Sequence, residues 1–349
     1  MNMTEILREV GRGKRGARDL TFEEATAAAE LIFGKQASDA QIGAFFLAER
    51  FKMESVEELH AFIQVCRKYA FRSPRPNSLD CAGPYDGRKS TFMTGLATSF
   101  VLAAAGSPVT LHGTAPLPPK WGVTLPDVLA EMGLEGGALP RARAEKAADE
   151  TGVLFVDAEE GCPPLAELRR IREEIGLRTI LNTVEKLADY GCSPYLVYGV
   201  YHNTIFDRTA QLLERLDYRR ALIVQGVEGS EDVYIDRTTR VYLVENGEAK
   251  LHVIDPEAYG LEASAPEPLT TAAGQLRITE AVLTGEAHIA YINQVLLNGG
   301  LRLHLVGLSD SIEEGIYTCK SLLDSGAPWE AYRQWRAVVT NHLATVKHP

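Results

Sequence analysis

A loop of small residues ahead of an apolar helix is the first segment whose residues suit chemistry. It reads Asp80-Cys81-Ala82-Gly83-Pro84-Tyr85-Asp86-Gly87-Arg88-Lys89-Ser90, and a helix is predicted from Thr91. Free backbone N–H groups at a helix N-terminus attract phosphate and other anions. The candidate anion-binding residues here are Gly83, Asp86, Gly87, Arg88 and Lys89. An ordinary turn with two solvated basic side chains fits the same residues, and spacing alone does not separate the two interpretations.

A second candidate segment follows the predicted strand Val109–Leu111. It carries His112, Gly113 and Lys120 within the proline-rich stretch Leu111-His112-Gly113-Thr114-Ala115-Pro116-Leu117-Pro118-Pro119-Lys120-Trp121-Gly122. Loops at the carboxyl ends of strands in open α/β sheets are where ligands bind. Alternatively, His112 is a hydrogen-bonded structural residue and the prolines only stiffen the loop.

An acidic loop is the third candidate, with the sequence Glu228-Gly229-Ser230-Glu231-Asp232 after a predicted strand. Glu231 and Asp232 would suit Mg²⁺, which binds few carboxylates and keeps waters or phosphate oxygens as its other ligands. A solvated acidic turn is the alternative. The chain has no Walker loop, zinc pattern, nucleophile elbow or G-x-G-x-x-G motif.

A basic loop between two predicted helices contains Arg12, Lys14, Arg15 and Arg18. Such a cluster can contact nucleic-acid phosphates, although a solvated loop between helices has the same composition. Arg169, Arg170 and Arg172 form a smaller basic group on a predicted helix.

Overall composition limits these interpretations. The 349 residues include 36 Lys and Arg against 47 Asp and Glu, a formal net charge of −11, which argues against broad binding to phosphate backbones but not against a local basic patch. The length suggests two domains. Five irregularly spaced cysteines, no apolar N-terminal leader and no apolar run of membrane-spanning length indicate a cytoplasmic protein that does not enter a membrane.

The first part of the chain carries helix signals only. Capping boxes begin at Thr21, Ser38 and Ser55, each ahead of apolar residues at helical spacing, and another helix is predicted from Met3 to Gly11. A bundle of about four helices should therefore end near Pro74 and Pro76.

From Leu79 onward, short β-branched runs alternate with helical patterns, which is typical of an α/β domain with a mostly parallel sheet. The predicted strands are Val109–Leu111, Val153–Val156, Tyr195–Val200, Arg220–Gln225, Arg240–Glu245 and Lys250–Ile254. The predicted helices are Thr91–Ala105, Thr124–Met132, Pro164–Ile175, Ile205–Leu216, Ala272–Leu283, Ala287–Leu305 and Ser311–Ser325. Asn246-Gly247 predicts one antiparallel hairpin, and Ser311 with Glu314 predicts a further capping box.

In this order, the segments resemble the anthranilate phosphoribosyltransferases of glycosyltransferase family 3 over nearly the whole chain. The segments that carry the resemblance are Leu20-Thr21-Phe22-Glu23-Glu24-Ala25, Ile171-Arg172-Glu173-Glu174-Ile175-Gly176-Leu177-Arg178-Thr179 and Gly199-Val200-Tyr201-His202. The resemblance implies a helical domain over residues 1–74, completed by helices at about 165–192, and an α/β domain over 75–349. It also implies a homodimer through the helical domain and an active site in the cleft between the domains.

The family transfers a phosphoribosyl group from phosphoribosyl pyrophosphate (PRPP) to anthranilate with magnesium, and Arg172 matches the arginine that binds the anthranilate carboxylate. Several PRPP motifs differ here. The phosphate loop is one residue shorter and contains Pro84 and Tyr85, and the lysine, asparagine and arginine around His112-Gly113 are absent. Each lost charge-assisted contact costs roughly 1.5–3 kcal/mol, so a conventional PRPP site is not expected.

Gly11-Arg12-Gly13-Lys14 and Tyr85-Asp86-Gly87-Arg88-Lys89 are more similar to a paralogous branch that lacks most PRPP motifs and is described as binding nucleic acid. Three hypotheses follow. The first is a protein with an eroded PRPP site that binds an anionic ligand, such as nucleic acid, in the cleft or dimer groove. The second is a phosphoribosyl or glycosyl transferase with an altered acceptor that uses magnesium. The third is a true anthranilate phosphoribosyltransferase of tryptophan biosynthesis.

Overall fold

The chain opens with four helices. The computed structural model describes residues 1–13, 15–134, 139–266 and 268–340. The opening helices are α1 Met3–Val10, α2 Phe22–Phe33, α3 Asp39–Lys52 and α4 Val56–Tyr69. Thr21, Ser38 and Ser55 cap the last three, and the Glu or Gln three residues later accepts from the backbone N–H of the capping residue. These three predicted capping boxes are confirmed.

A seven-stranded sheet follows the helical bundle. Its strands are β1 Leu79–Ala82, β2 Val109–Gly113, β3 Val153–Asp157, β4 Tyr195–Gly199, β5 Arg220–Val224, β6 Thr239–Glu245 and β7 Glu248–Ile254. Their order is β3-β2-β1-β4-β5-β6-β7, with β1 to β5 parallel and the last two antiparallel. The mostly parallel α/β sheet is therefore confirmed. Asn246 and Gly247, both at positive φ, form the predicted hairpin turn between β6 and β7.

Eleven further helices surround the sheet in the described ranges. They are α5 Thr94–Ala104, α6 Leu125–Glu131, α7 Arg141–Thr151, α8 Ala158–Gly161, α9 Pro163–Ile175, α10 Leu181–Val184, α11 Phe206–Glu214, α12 Ala272–Leu283, α13 Ile289–Val306, α14 Ile312–Ser325 and α15 Ala327–Thr340. None of the helices described is both long enough and apolar enough to cross a membrane.

Four elements were not predicted from the sequence: β1, α7, α8 and α15. The buried face of α7 consists of Ala144, Ala147 and Ala148, so it lacks the large apolar residues that reveal an amphipathic helix.

Only one of the two hydrogen bonds of the predicted capping box at Ser311 forms. Ser311 caps α14, but the Glu314 carboxylate accepts from the N–H of Asp310 instead of the N–H of Ser311.

The sheet separates two apolar cores because successive strand residues point to opposite faces. In β4, Tyr195 and Val197 belong to one core, together with α5, α13 and α15. Leu196 and Tyr198 belong to the other, with the helical bundle and with α9 and α10. The helical bundle therefore packs against one face of the sheet.

Buried carboxylates hold the helical bundle together. Glu58 accepts from the N–H groups of Leu20 and Ser55 and from Lys52 Nζ, each at 2.7 Å. Glu49 is fully buried nearby, 3.5 Å from Lys52 Nζ. Burial, and then the charge of Glu58, raise the pKa of Glu49 from about 4.5 to about 9. Glu49 is therefore protonated in the folded protein at neutral pH.

A raised pKa in the folded state favours folding at low pH, and this contribution is lost as pH rises from about 4.5 towards about 9. Glu49→Gln cannot ionise, so its free energy of unfolding should fall less between pH 5 and 9 than that of the wild type, by roughly 1–3 kcal/mol. Urea denaturation across this pH range measures the difference. The exposed Glu23→Gln variant should keep the wild-type pH dependence. An unchanged dependence in Glu49→Gln would contradict the assignment.

Candidate functional site

The loop after β1 and the loop after β2 meet at the carboxyl ends of the central strands. Gly87 has φ +76°, and a Cβ there would lie 2.3 Å from the Gly122 carbonyl oxygen. A Cβ on Gly83 would lie 2.8 Å from Glu231 Oε2. The contact with the backbone and the positive φ require glycine at Gly87, whereas a side chain at Gly83 would require the end of the Glu231 side chain to shift. The loops enclose a cavity of about 40 Å³ that is also lined by Pro84, and this volume holds only a few water molecules.

Arg88 lies within this site, and its charge is paired inside the protein. It is almost fully buried, donates to the Phe92 carbonyl oxygen at 2.7 Å and forms an ion pair with Asp232. Arg302 contacts the other oxygen of Asp232 at 2.8 Å. Burial opposes ionisation of Asp232, but the two guanidinium groups outweigh it and hold the pKa of this carboxyl below its usual range. Both predicted residues, Arg88 and Asp232, thus have internal partners.

The carboxylate of Glu228 accepts hydrogen bonds from backbone N–H groups that were expected to bind phosphate. Glu228 accepts from the N–H of Lys89 at 2.8 Å and from the N–H of Ser90 at 3.2 Å. Lys120 donates to the Glu228 carbonyl oxygen at 2.9 Å and lies 3.1 Å from the buried carboxylate of Asp86. Arg178 contacts the same carboxylate at 3.5 Å. The two loops, which were separate candidates in the sequence, thus meet in the fold, and acidic side chains pair with Lys120 and with the N–H groups of Lys89 and Ser90.

His112 lies in a buried chain of polar groups. Tyr85 Oη lies 2.6 Å from His112 Nδ1 and donates to the Glu185 carbonyl oxygen at 3.2 Å. His112 Nε2 lies 2.9 Å from Asp80 Oδ1. Burial raises the pKa of Tyr85 well above its usual range. His112 and Gly113 line the small cavity together with Tyr85, which fills part of the space between the two loops.

Arg172 forms a buried, two-point ion pair with Glu185. Its two terminal nitrogens lie 2.5 and 2.8 Å from the Glu185 carboxylate oxygens, and both side chains are at most 2% exposed. A ligand carboxylate at Arg172 would have to displace Glu185. Glu185 was not singled out from the sequence, although its place between the apolar residues Val184 and Leu187 is the signal that could have identified it as buried.

Lys186, the next residue, is also buried and was also missed. Its Nζ donates to the Gly199 carbonyl oxygen at 2.6 Å and lies 3.9 Å from the centre of the Tyr198 ring. Burial, and then the positive charge of Arg178, lower the pKa of Lys186 to about 7. Lys186 therefore changes its charge near neutral pH.

Of the two predicted magnesium ligands, Glu231 and Asp232, only Glu231 has a carboxylate oxygen that is available to bind a cation. Glu231 is buried, and its Oε2 has no hydrogen-bond partner in the described ranges, which fits a cation ligand. Asp232 fits less well because both of its oxygens contact arginines. No group of three His, Cys, Asp or Glu side chains within the described residues is arranged to hold a metal. A magnesium site through Glu231 and Asp232 stays a prediction.

The N-terminal basic cluster is partly neutralised. Arg12 pairs with Glu9 at 2.9 Å, and Arg18 pairs with Glu9 and with Glu24. Arg15 is exposed and forms no ion pair with any residue in the described ranges. Lys14 lies outside the described residues. The nucleic-acid patch stays a prediction.

The Arg172–Glu185 pair allows a direct test of how buried charge is balanced. Arg172→Met leaves Glu185 buried without its partner and should lower the free energy of unfolding by about 3–5 kcal/mol. The double variant Arg172→Met/Glu185→Met should recover most of this loss. Arg170→Met, which breaks the exposed pair with Glu174 on the same helix, should cost less than about 1 kcal/mol. Chemical denaturation measures all three, and equal losses for Arg170→Met and Arg172→Met would contradict the assignment.

Comparison with known proteins covers both parts of the chain. Residues 4–70 match the helical bundle domain of the glycosyl transferase family, and residues 76–329 match its a/b domain. An anthranilate phosphoribosyltransferase of Persephonella marina is 31% identical over 337 residues, covering 95% of this chain and 97% of the relative. The enzyme of the same name from Desulfitobacterium hafniense is 32% identical over 311 residues, covering 88% of this chain and 90% of the relative.

Solved structures show the same fold. Anthranilate phosphoribosyltransferase from Thermus thermophilus superimposes with a TM-score of 0.81 at 23% identity, covering 96% of this chain and 99% of that one. The Saccharomyces cerevisiae enzyme in complex with PRPP and Mg gives a TM-score of 0.82 at 17% identity, covering 97% of this chain and 98% of that one. Both family domains occur here in the expected order. The chain therefore belongs to the glycosyl transferase family that includes the anthranilate phosphoribosyltransferases.

Proposed function

We propose that this chain is a family member with an eroded PRPP site, which binds a different anionic ligand in the cleft between the helical bundle and the sheet. One observation carries this proposal: internal carboxylates occupy the groups that would bind phosphate and acceptor. The pairs are Arg88 with Asp232, the N–H groups of Lys89 and Ser90 with Glu228, Lys120 with Asp86, and Arg172 with Glu185. If PRPP and anthranilate bound at these groups, they would have to displace several of these carboxylates. The displaced carboxylates would then be buried without a partner.

Besides the exposed Lys89, which forms no ion pair in the described ranges, positive charge remains at Lys120 and Arg178. These two cations share one carboxylate, Asp86, and their side chains are 26% and 44% exposed. Lys186 adds a further positive charge when it is protonated, below about pH 7. A local excess of positive charge can attract an anion even though the net charge of the chain is −11. The anion would therefore bind beside these three residues.

Phosphoribosyl transfer is the second candidate, with anthranilate or another acceptor. The unpartnered Oε2 of Glu231 favours it, since this carboxylate could hold Mg²⁺ beside the former phosphate loop. The names of the relatives, anthranilate phosphoribosyltransferases of P. marina and D. hafniense, favour it as well. In that case bound magnesium would neutralise charge on the pyrophosphate leaving group, while Lys120 would position a phosphate. A homodimer through the helical bundle is proposed for either function.

Thermal unfolding with PRPP and magnesium separates the two candidates. A ligand that binds only the folded state raises Tm, by an amount that grows with its concentration relative to Kd. With an eroded site, millimolar PRPP and MgCl₂ should leave Tm unchanged. MgCl₂ alone is the control. A rise that requires both PRPP and MgCl₂ would overturn the eroded site and support phosphoribosyl transfer, and anthranilate turnover would then identify the acceptor.

A fluorescent single-stranded oligonucleotide tests the nucleic-acid form of the proposal. We expect binding to weaken steeply between 50 and 200 mM salt, because phosphate contacts release counterions. Arg178→Ala should weaken binding if the cleft is used, and Arg15→Ala should do so if the N-terminal patch is used. Lys320→Ala, an exposed lysine paired with Asp324, is the matched control. Absent or salt-independent binding would contradict a nucleic-acid ligand.

A further inference from the structure

A second cavity lies beside the edge strand β3. Its volume is about 250 Å³, and it shares no lining residue with the small cavity of the candidate site. The segment after α4, the start of α7 and the end of β3 surround it. Phe71, which is 51% exposed, and the half-buried Val156 supply apolar surface, whereas the lining residues Leu154 and Phe155 are at most 1% exposed. The cavity therefore has one aromatic side chain, Phe71, that a ligand can reach from solvent.

The charges around this cavity do not cancel. Arg141 lies above the Phe71 ring, 5.4 Å from its centre, and its Nε contacts Glu145 at 2.8 Å. Asp157 and Glu160 also line the cavity. Among the residues that the structure describes, neither of these carboxylates forms an ion pair; Asp157 Oδ1 only accepts from the N–H groups of Glu159 and Glu160. The cavity thus has an excess of two negative charges.

Burial makes that excess costly. It raises the pKa of Asp157, and it raises the pKa of Glu160 together with the nearby charge of Asp157. A cation bound between the two carboxylates would relieve this repulsion. The exposed Phe71 ring adds attraction for a cation and for an apolar group attached to it.

Cavity size limits the ligand. An apolar cavity of about 150 Å³ accommodates benzene, so a cavity of about 250 Å³ has room for one ring and a short chain. A larger double-ring ligand would have to extend into solvent past Phe71.

We propose that the cavity at β3 binds a small organic cation, a primary amine joined by a short chain to one aromatic ring. The ammonium lies between Asp157 and Glu160, and the ring packs against Phe71. This site uses none of the residues of the proposed anion site, so either proposal can fail without the other.

Calorimetric titration with phenethylamine tests the proposal, and 2-phenylethanol is a neutral control of nearly the same shape. The amine should bind at least about tenfold more tightly than the alcohol, because only the amine forms charge-assisted hydrogen bonds with the carboxylates. Its affinity should fall as salt is added. No saturable binding of the amine at millimolar concentration, or equal affinity for the alcohol, would overturn the proposal.

Two exposed positions locate the site without disturbing the core. Glu160→Gln should weaken phenethylamine binding about fivefold or more while leaving 2-phenylethanol unchanged, since only the charge is removed. Phe71→Ala should weaken both compounds. Glu286→Gln, an exposed acid between α12 and α13, is the matched control and should change neither. An amine affinity unaffected by Glu160→Gln would overturn the proposed ammonium position.

Discussion

The pairing of buried charge is the constraint on which the rest of this structure depends. Arg88, Arg172 and Arg302 are each at most 2% exposed, and a guanidinium cannot lose its proton to escape burial. Each therefore needs a carboxylate inside the protein, and Asp232 and Glu185 supply them. The two pairs of Asp232 join elements far apart in the chain, and so they also position the loops that meet at the ends of the parallel strands.

The same pairing shapes what the cleft can bind. In a site that awaits an anionic ligand, basic groups stay available and the ligand supplies the negative charge. Here Asp86, Glu185, Glu228 and Asp232 supply it from within. Pro84 and Tyr85 reduce the space further, since they line a cavity of only about 40 Å³. Family membership and fold therefore do not by themselves determine what the cleft binds, since function depends on a site rather than on a fold.

Unpaired charges are few among the buried groups described, and they are informative for that reason. Glu49 avoids its charge by staying protonated, and Lys186 titrates near neutral pH. Glu231 keeps an unpartnered oxygen beside the loop after β1. Asp157 and Glu160, at the end of the edge strand β3, leave a negative excess in the second cavity. Glu49 is neutralised by gaining a proton and Lys186 by losing one, whereas a cation would balance the charges of Glu231, Asp157 and Glu160.

The sequence by itself determined the fold class, the capping boxes at Thr21, Ser38 and Ser55, and the hairpin at Asn246-Gly247, because these depend on residues within a few positions of each other. It placed Arg88 and Lys120 in separate candidate loops, and that these loops meet depends on the sheet order, in which the missed strand β1 lies beside β2. It missed α7, whose buried face is alanine, and it did not identify Glu185 or Glu228. Only the tertiary structure decided the ion pairs: Arg88 and Asp232 are 144 positions apart, and their contact depends on packing across the whole sheet.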